Sequence, residues 1–277
     1  GQLNTEIEYK DGYENGVESI WHSNRKPSAT LTYRNGMKEG SYKLLDSYGK
    51  VKYESFYKND LLDSIYIQYD FDGNKTSQMM YNCGNLNGER KWFYPNGKTD
   101  VAGAYKDDSR NGVFNYYSPD GLLMIQRKYV EGTFVSYTYQ NASGQYVPSI
   151  PVDDKMQKVI AYYSNGKKSI EYNVVNGVAH GVMKAWYPDG AIMEENSRFH
   201  GDYDGEQKEF YPNGNVQSDE WYNNDKLNGE CRFYFENGKT KRITNYVNDL
   251  KHGHEIVFDK SGTVISDIVF YNGEPVK

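Results

Sequence analysis

Tyrosine stands at positions 9, 33, 57, 81, 105 and 129, each 24 residues after the last. Spacing this regular marks duplication, and it constrains the fold more than any local motif. A chain of short identical units can bury its apolar surface only by packing each unit on the next. With Tyr81 as position zero, Gly84 falls at plus 3, Gly88 at plus 7, Phe93 at plus 12 and Gly97 at plus 16. After Tyr129 the register slips by three residues and resumes at Ile150, Val174, Arg198, Tyr222, Tyr246 and Phe270. The slip lies in "NASGQYVPSIPVDDKMQK", which contains no recognisable unit. It is read as a seam over residues 141–158, between an array at 1–140 and an array at 159–277.

The columns persist across the seam and have local physical reasons. Position plus 16 is glycine at 49, 73, 97, 121, 166, 190, 214, 238 and 262, and plus 12 is aromatic in almost every unit. "YPNG" at 94 and 211, "SPDG" at 118 and "YPDG" at 187 put Pro second and Gly fourth in a type I turn. Pro presets φ there, and the glycine can adopt the left-handed conformation of a G1 bulge. Such a loop pairs plus 12 with plus 18, so plus 0, plus 12 and plus 18 are expected to share a core face. The segment from plus 2 to plus 7, as in "NGMKEG", is expected to be the turn at the other end. One unit is then a hairpin too small to be stable alone. The expected fold is all-β: an elongated repeat array of stacked antiparallel β-hairpins forming a long twisted open meander sheet. At about 4.8 Å per strand each unit advances roughly 10 Å, on the order of 100 Å for an uninterrupted array.

Composition agrees with this reading and narrows the function. The 28 Tyr, 11 Phe and 4 Trp among 277 residues, with 27 Gly, suit rings on a pleated sheet and glycines in turns. A net charge of −6, without a dense Lys/Arg block, disfavours nucleic acid as a partner. Mean hydropathy is −0.88, and no run approaches the roughly 20 apolar residues that span a bilayer. The opening "GQLNTEIEY" lacks an initiator Met, which fits an expression scar, a removed signal peptide or both. An exported protein, periplasmic or at the cell surface, is preferred over a cytoplasmic one.

At this point the columns resemble MORN repeats, in which an aromatic residue, Asn-Gly, often His-Gly, and a second aromatic precede the next Asp/Asn-Gly. "VVNGVAHGVMKAWYPDG" from Val174 to Gly190 carries the likeness most fully, and "VNDLKHGHEIVFDKSG" from Val247 to Gly262 keeps the His-Gly. The strand after plus 16 reads "KVKYESFY" or "NVQSDEWY" instead of the block that closes eukaryotic units. This makes the chain resemble the bacterial MORN-variant proteins, some of which carry an antitoxin label. The resemblance implies an extended antiparallel sheet, a role in protein or surface interaction, and no catalytic residue.

Chemistry-bearing residues are accounted for by the repeat. His180 and His252 occupy the same plus 6 position, and His252 with His254 gives two candidate metal ligands without a third. Adjacent acids such as Asp107 and Asp108, Asp153 and Asp154, or Glu194 and Glu195 point to opposite faces of a strand. "DFDGN" at 70–74 falls on the hairpin and lacks the later Glu of a calcium loop. "NCGNLNG" at 82–88 has no following Lys-Ser/Thr and is not a phosphate loop. Cys83 and Cys231, six units apart, are expected to be free thiols.

No cofactor is implied, and the chain is expected to be a non-catalytic scaffold that binds a protein partner or its own copy. The candidate binding residues are an aromatic ladder at plus 13, namely Tyr94, Tyr163, Tyr187, Tyr211 and Phe235, joined by Trp92. A regular strand places these rings opposite the plus 12 core, where they could bury against protein or stack on a cell-wall or surface polysaccharide. The competing reading is that they only pack on cross-strand neighbours.

Overall fold

The computed structural model describes residues 4–22, 24–46, 49–70 and 72–276. These residues form antiparallel strands joined as consecutive hairpins, with no helix among them, and the sheets do not close into a barrel. Two compact units are distinguished: residues 1–122 with 126–133, and residues 134–277 with 123–125. In the first unit the strands pair in chain order from Gly16–Trp21 to Gly112–Tyr117. Thr5–Glu6 is added at the start, and Tyr9–Lys10 pairs separately with Tyr13–Glu14. In the second unit the order again follows the chain, from Gln157–Tyr162 to Glu274–Pro275. There Ile150–Pro151, from the irregular stretch, pairs with Ser136 and Tyr137.

The hairpin loop has the expected geometry. Tyr94 N–H donates to Lys98 O and Gly97 N–H to Tyr94 O, both at 2.8 Å, with Gly97 at φ +79°. Phe93 pairs with Thr99, Trp186 with Ile192 and Phe258 with Val264, which is the plus 12 to plus 18 register. The other turn is shorter than the sequence suggests. Asn35 and Gly36, at φ 51° and 79°, form a two-residue turn between paired Arg34 and Met37. Positive φ at both residues is the type I′ geometry, whose twist matches that of the flanking strands. The segment from plus 4 onward is already strand, and the plus 7 glycine sits inside it, as Gly40 does within Met37–Leu45.

The predicted core face needs a correction. A bulge opposite plus 12 shifts the register by one, so Trp92 pairs with Val101 while Phe93 pairs with Thr99. The extra residue reverses side-chain parity between plus 18 and plus 20. Plus 0 therefore joins plus 9, 11, 13, 20 and 22 on one face, and plus 12 lies on the other. Nearly all fully buried residues obey this grouping: Ala29, Leu31, Ser77, Met79, Phe114, Tyr129, Val159, Ala161, Tyr172, Asn196, Ser218, Cys231 and Thr244. This is termed the tight face. The opposite, open face carries cross-strand ion pairs such as Lys43–Glu54 at 2.6 Å and Lys184–Glu195 at 3.0 Å.

The second unit has a place where the open face is also buried. Strand Lys168–Val175 buries Ser169 on one side and Ile170, Tyr172 and Val174 on the other. Ser169 Oγ donates to Met124 O at 2.6 Å, and the Tyr139 and Tyr162 rings lie 5.5 Å apart. Residues 123–125 and 134–139 thus pack on the first two strands of the later array.

Candidate interaction faces

The plus 13 rings are placed on the tight face by the bulge, so the expectation that they stand opposite the core is corrected. Tyr163 is 1% exposed and Tyr187 is 7% exposed. Their hydroxyls reach the next unit: Tyr94 donates to Tyr117 O at 2.7 Å, Tyr163 to Trp186 O at 2.6 Å, Tyr187 to Phe210 O at 2.7 Å and Tyr211 to Tyr234 O at 2.8 Å. Every acceptor is a plus 12 carbonyl, 23 residues ahead.

The same loops are joined twice more. Asn96 Nδ2 donates to Pro119 O and Asn213 Nδ2 to Glu236 O, while Lys98 Nζ reaches Asp120 O. The column therefore fastens each loop to the next, with the ring body buried and its polar tip satisfied. Phe235 keeps the ring but has no hydroxyl, and lines a shallow pocket with Glu236, Asn237 and Lys260. Trp92, at plus 11, lies half-buried on the tight face with the Arg90 guanidinium 4.1 Å from its ring.

A second aromatic series, absent from the sequence reading, runs along the tight face of the first unit. Tyr42 and Tyr53 lie 5.4 Å apart, Tyr53 and Tyr66 stack at 5.4 Å and 21°, and Tyr66 meets Tyr81 at 6.1 Å. These come from plus 9, plus 20 and plus 0, and the signal that could have found them is tyrosine in three columns that only the bulge brings together. Burial raises the phenol pKa of Tyr42, Tyr57 and Tyr66. Further along, Tyr105 and Tyr129 close edge-on upon Phe114 at 5.6 and 5.1 Å. The Phe114 ring lies so close over Gly103 that a Cβ there would be 2.3 Å from it.

In the second unit the corresponding track is polar. Glu194 is paired directly with Glu209, and Gln207 with Glu220. Asn196 Nδ2 donates to Glu194, Arg198 Nε to Asn196 Oδ1 at 3.3 Å, and Tyr222 OH to Glu220 at 3.1 Å. Burial raises the Glu220 carboxyl above the usual range, against the opposing pull of Tyr222 and Arg242. Burial also pushes the Cys231 thiol up to about 11, and Cys83 and Cys231 are both free.

The remaining candidates are dispersed. His180 packs against Phe199 and His200 at 5.3 and 5.5 Å, His252 against Tyr271 at 5.0 Å, and His254 Nδ1 pairs with Asp267 at 2.8 Å. Among the described residues no group of three or more His, Cys, Asp or Glu is placed to hold a metal ion. Asp70 accepts bonds from the Asn74 backbone and side chain at 2.8 and 3.0 Å, as a turn residue does; Phe71 of the same stretch lies outside the described residues. Among the described residues no helix is long and apolar enough to cross a membrane.

The open face carries a different feature. Val17, Phe56, Ile65 and Val113 in the first unit, and Val182 and Trp221 in the second, are exposed apolar side chains from plus 8 and plus 23. Their columns face each other across the ladder, as in the pairs Ser41–Phe56, Ile65–Met80 and Glu206–Trp221.

A family model described as the MORN repeat variant matches residues 86–107, 203–224 and 227–248. Each match begins at plus 5 and ends at plus 2 of the following unit, so it spans one hairpin with its loop. These matches support a MORN-repeat protein. A search of curated proteins finds no match.

Proposed function

We propose that the chain is a non-catalytic scaffold that binds another protein through the open face of its sheet. The observation that carries this reading is the apolar stripe of Val17, Phe56, Ile65 and Val113, set among charged residues on the face the hairpins leave uncovered. Phe56 is 40% exposed and Trp221 is 53% exposed. Phe56, Ile65 and Met80 on consecutive strands form the apolar centre of these columns, with Val17 and Val113 further along, and exposed apolar groups of this kind mark interaction surfaces. The MORN-variant matches support the same reading, since repeats of this kind serve as binding modules. Polysaccharide binding by the plus 13 ladder is the weaker alternative, because Tyr163 and Tyr187 have their rings buried and their hydroxyls committed.

The test is affinity capture with the full chain from its native source, partners being identified by mass spectrometry, beside a glycan array. A specific protein partner is expected, with capture falling about tenfold or more for Phe56→Ser combined with Ile65→Ser. Circular dichroism should show the fold retained. Glycan binding without a protein partner, or capture indifferent to both substitutions, would refute the proposal.

A further inference from the structure

The open face of the first unit carries a row of cations beside its apolar stripe. Position plus 1 is Lys10, Arg34, Lys58 and Lys106, with Asn82 the one gap between them. In strand Val51–Lys58, exposed Phe56 and Lys58 flank half-buried Tyr57, so the cation shares the face of the stripe, two residues along. All four cations are exposed, and none makes an ion pair among the described residues. Their cross-strand neighbours are Tyr13, Met37, Leu61 and Ser109, none of them an acid. After the seam, plus 1 is Pro151, Val175, Phe199, Asn223, Val247 and Tyr271, without a cation.

Nearby acids have other partners. Glu54 and Glu89 pair with Lys43 and Lys91 at 2.6 and 2.8 Å. Glu39 and Asp63, at plus 6, accept the Asn59 and Cys83 amides at 3.1 and 3.4 Å. The turn acids Asp60, Asp107 and Asp108 accept from Lys38 N–H, Asn87 Nδ2 and Leu86 N–H at 2.8, 3.2 and 2.8 Å. The plus 1 row therefore runs roughly 7 Å along the strands from the row of Phe56 and Met80, one cationic and one apolar. Such a surface is complementary to a partner with the same two rows and the opposite charge.

We infer that the partner of this face presents an acidic amphipathic helix, laid across the strands. Its apolar side chains cover Phe56, Ile65 and Met80, and its carboxylates meet Arg34, Lys58 and Lys106. The inference rests on the reading of the open face as the binding surface and adds the chemistry of what binds there. Spacing decides for a helix. Cations of successive units stand two strands apart, about 9.6 Å. Seven helical residues advance about 10.5 Å, so one carboxylate per heptad keeps step with the row while the a and d positions follow the stripe. In an extended peptide three residues advance about 10 Å, but an odd step turns the side chain to the opposite face. The second unit, without the cations, does not share the site.

The probe is a fluorescent helical peptide of about 21 residues, with Leu at a and d and Glu at one flanking position of each heptad on an Ala and Gln background. It is titrated against the full chain and followed by anisotropy. The same peptide with Lys for Glu, one interrupted by Pro, and phosphatidylserine vesicles serve as comparisons. The Glu helix is expected to bind, and Arg34→Gln with Lys58→Gln to weaken it by about 3- to 30-fold. Salt near 1 M, where the screening length is about 3 Å, should weaken the complex toward the level of that variant. Phe56→Ser with Ile65→Ser should remove binding, and Lys184→Gln, in the second unit, should change nothing. Melting curves of each variant separate lost binding from lost fold.

Unchanged affinity in the Arg34 and Lys58 variant, or equal binding of the Lys helix or of the Pro-interrupted peptide, overturns the inference. So does binding to the vesicles without binding of the Glu helix, since lipid would then be the occupant. A captured protein that is lost in the stripe variant while the Glu helix fails to bind sinks this inference and leaves the scaffold reading standing. Helix binding that depends on both rows supports the inference even where capture recovers no partner.

Discussion

The two units share a backbone and differ in what fills it. At plus 9 the first unit has Glu18, Tyr42, Tyr66, Arg90 and Phe114, and the second has Val159, Met183, Gln207, Cys231 and Glu255. At plus 22 the contrast is Leu31, Ser55, Met79, Gly103 and Arg127 against Tyr172, Asn196, Glu220, Thr244 and Ile268. After Glu18 the first plus 9 column carries rings and a guanidinium, whereas the second begins apolar and ends acidic. Yet plus 12 pairs with plus 18 in both, and Tyr hydroxyls fasten the loops in both. Register is thus set at the ends of the hairpins, by glycines and loop-to-loop bonds, so the middle of the tight face is free to vary.

The largest test of that contrast lies at Phe114 and Cys231, which occupy the same column and are both fully buried. Phe114→Ala should cost about 3–5 kcal/mol, because the Tyr105 and Tyr129 rings and Gly103 lose their common filler. Cys231→Ala removes one sulfur atom and should cost about 1 kcal/mol or less. Hydrogen exchange resolved by segment is the measurement, and equal losses in the two units would break the comparison.

The fastening column should give a smaller and similar effect on both sides. Tyr94→Phe and Tyr187→Phe each remove one hydroxyl bond to a carbonyl, worth about 0.5–1.5 kcal/mol in denaturant midpoint shifts. Phe235→Tyr adds the missing hydroxyl and should stabilise by a comparable amount. No gain there would show that the hydroxyls are incidental to loop order.

Titration should separate the tracks by sign. The Glu220 carboxyl is raised by burial, so its contribution to stability is present at low pH and is lost as pH rises through its folded value. Glu220→Gln should therefore flatten the loss between mildly acidic and neutral pH, as seen in melting temperature. In the first unit burial pushes the Tyr129 phenol up, but Arg127 and Arg110 outweigh it and hold the group below the usual value. Its contribution appears only as pH rises toward that of an ordinary tyrosine, and an ultraviolet titration should show one early phenolate that Arg127→Gln abolishes.

The least perturbing test compares the thiols. Cys83 is exposed and Cys231 is buried with its pKa at about 11, so at neutral pH Cys83 should alkylate and Cys231 should stay protected until unfolding. Equal alkylation rates in the native protein would mean the second track is open to solvent.

The hairpin loops were legible because Pro and Gly state their backbone angles directly: Pro95 and Gly97 specify a type I turn and bulge wherever they occur. The pairing of plus 12 with plus 18 followed from loop length. The face assignment did not, because parity counting assumes an unbroken strand and the bulge inserts one residue opposite Phe93. That single shift moved Tyr94, Tyr163, Tyr187, Tyr211 and Phe235 onto the tight face, and brought Tyr42, Tyr53 and Tyr66 into one ladder.

The sequence by itself determined the repeat, the hairpin register and the all-β class, since these depend on interactions within about 24 residues. Only the tertiary structure decided which face is buried, that the Tyr187 hydroxyl binds a carbonyl in the next unit, and that Arg90, Arg110 and Arg127 each lie over an aromatic ring. Those depend on side chains from different units meeting across strands. The order of residues sets where each unit turns, but which side chains meet depends on how the units stack.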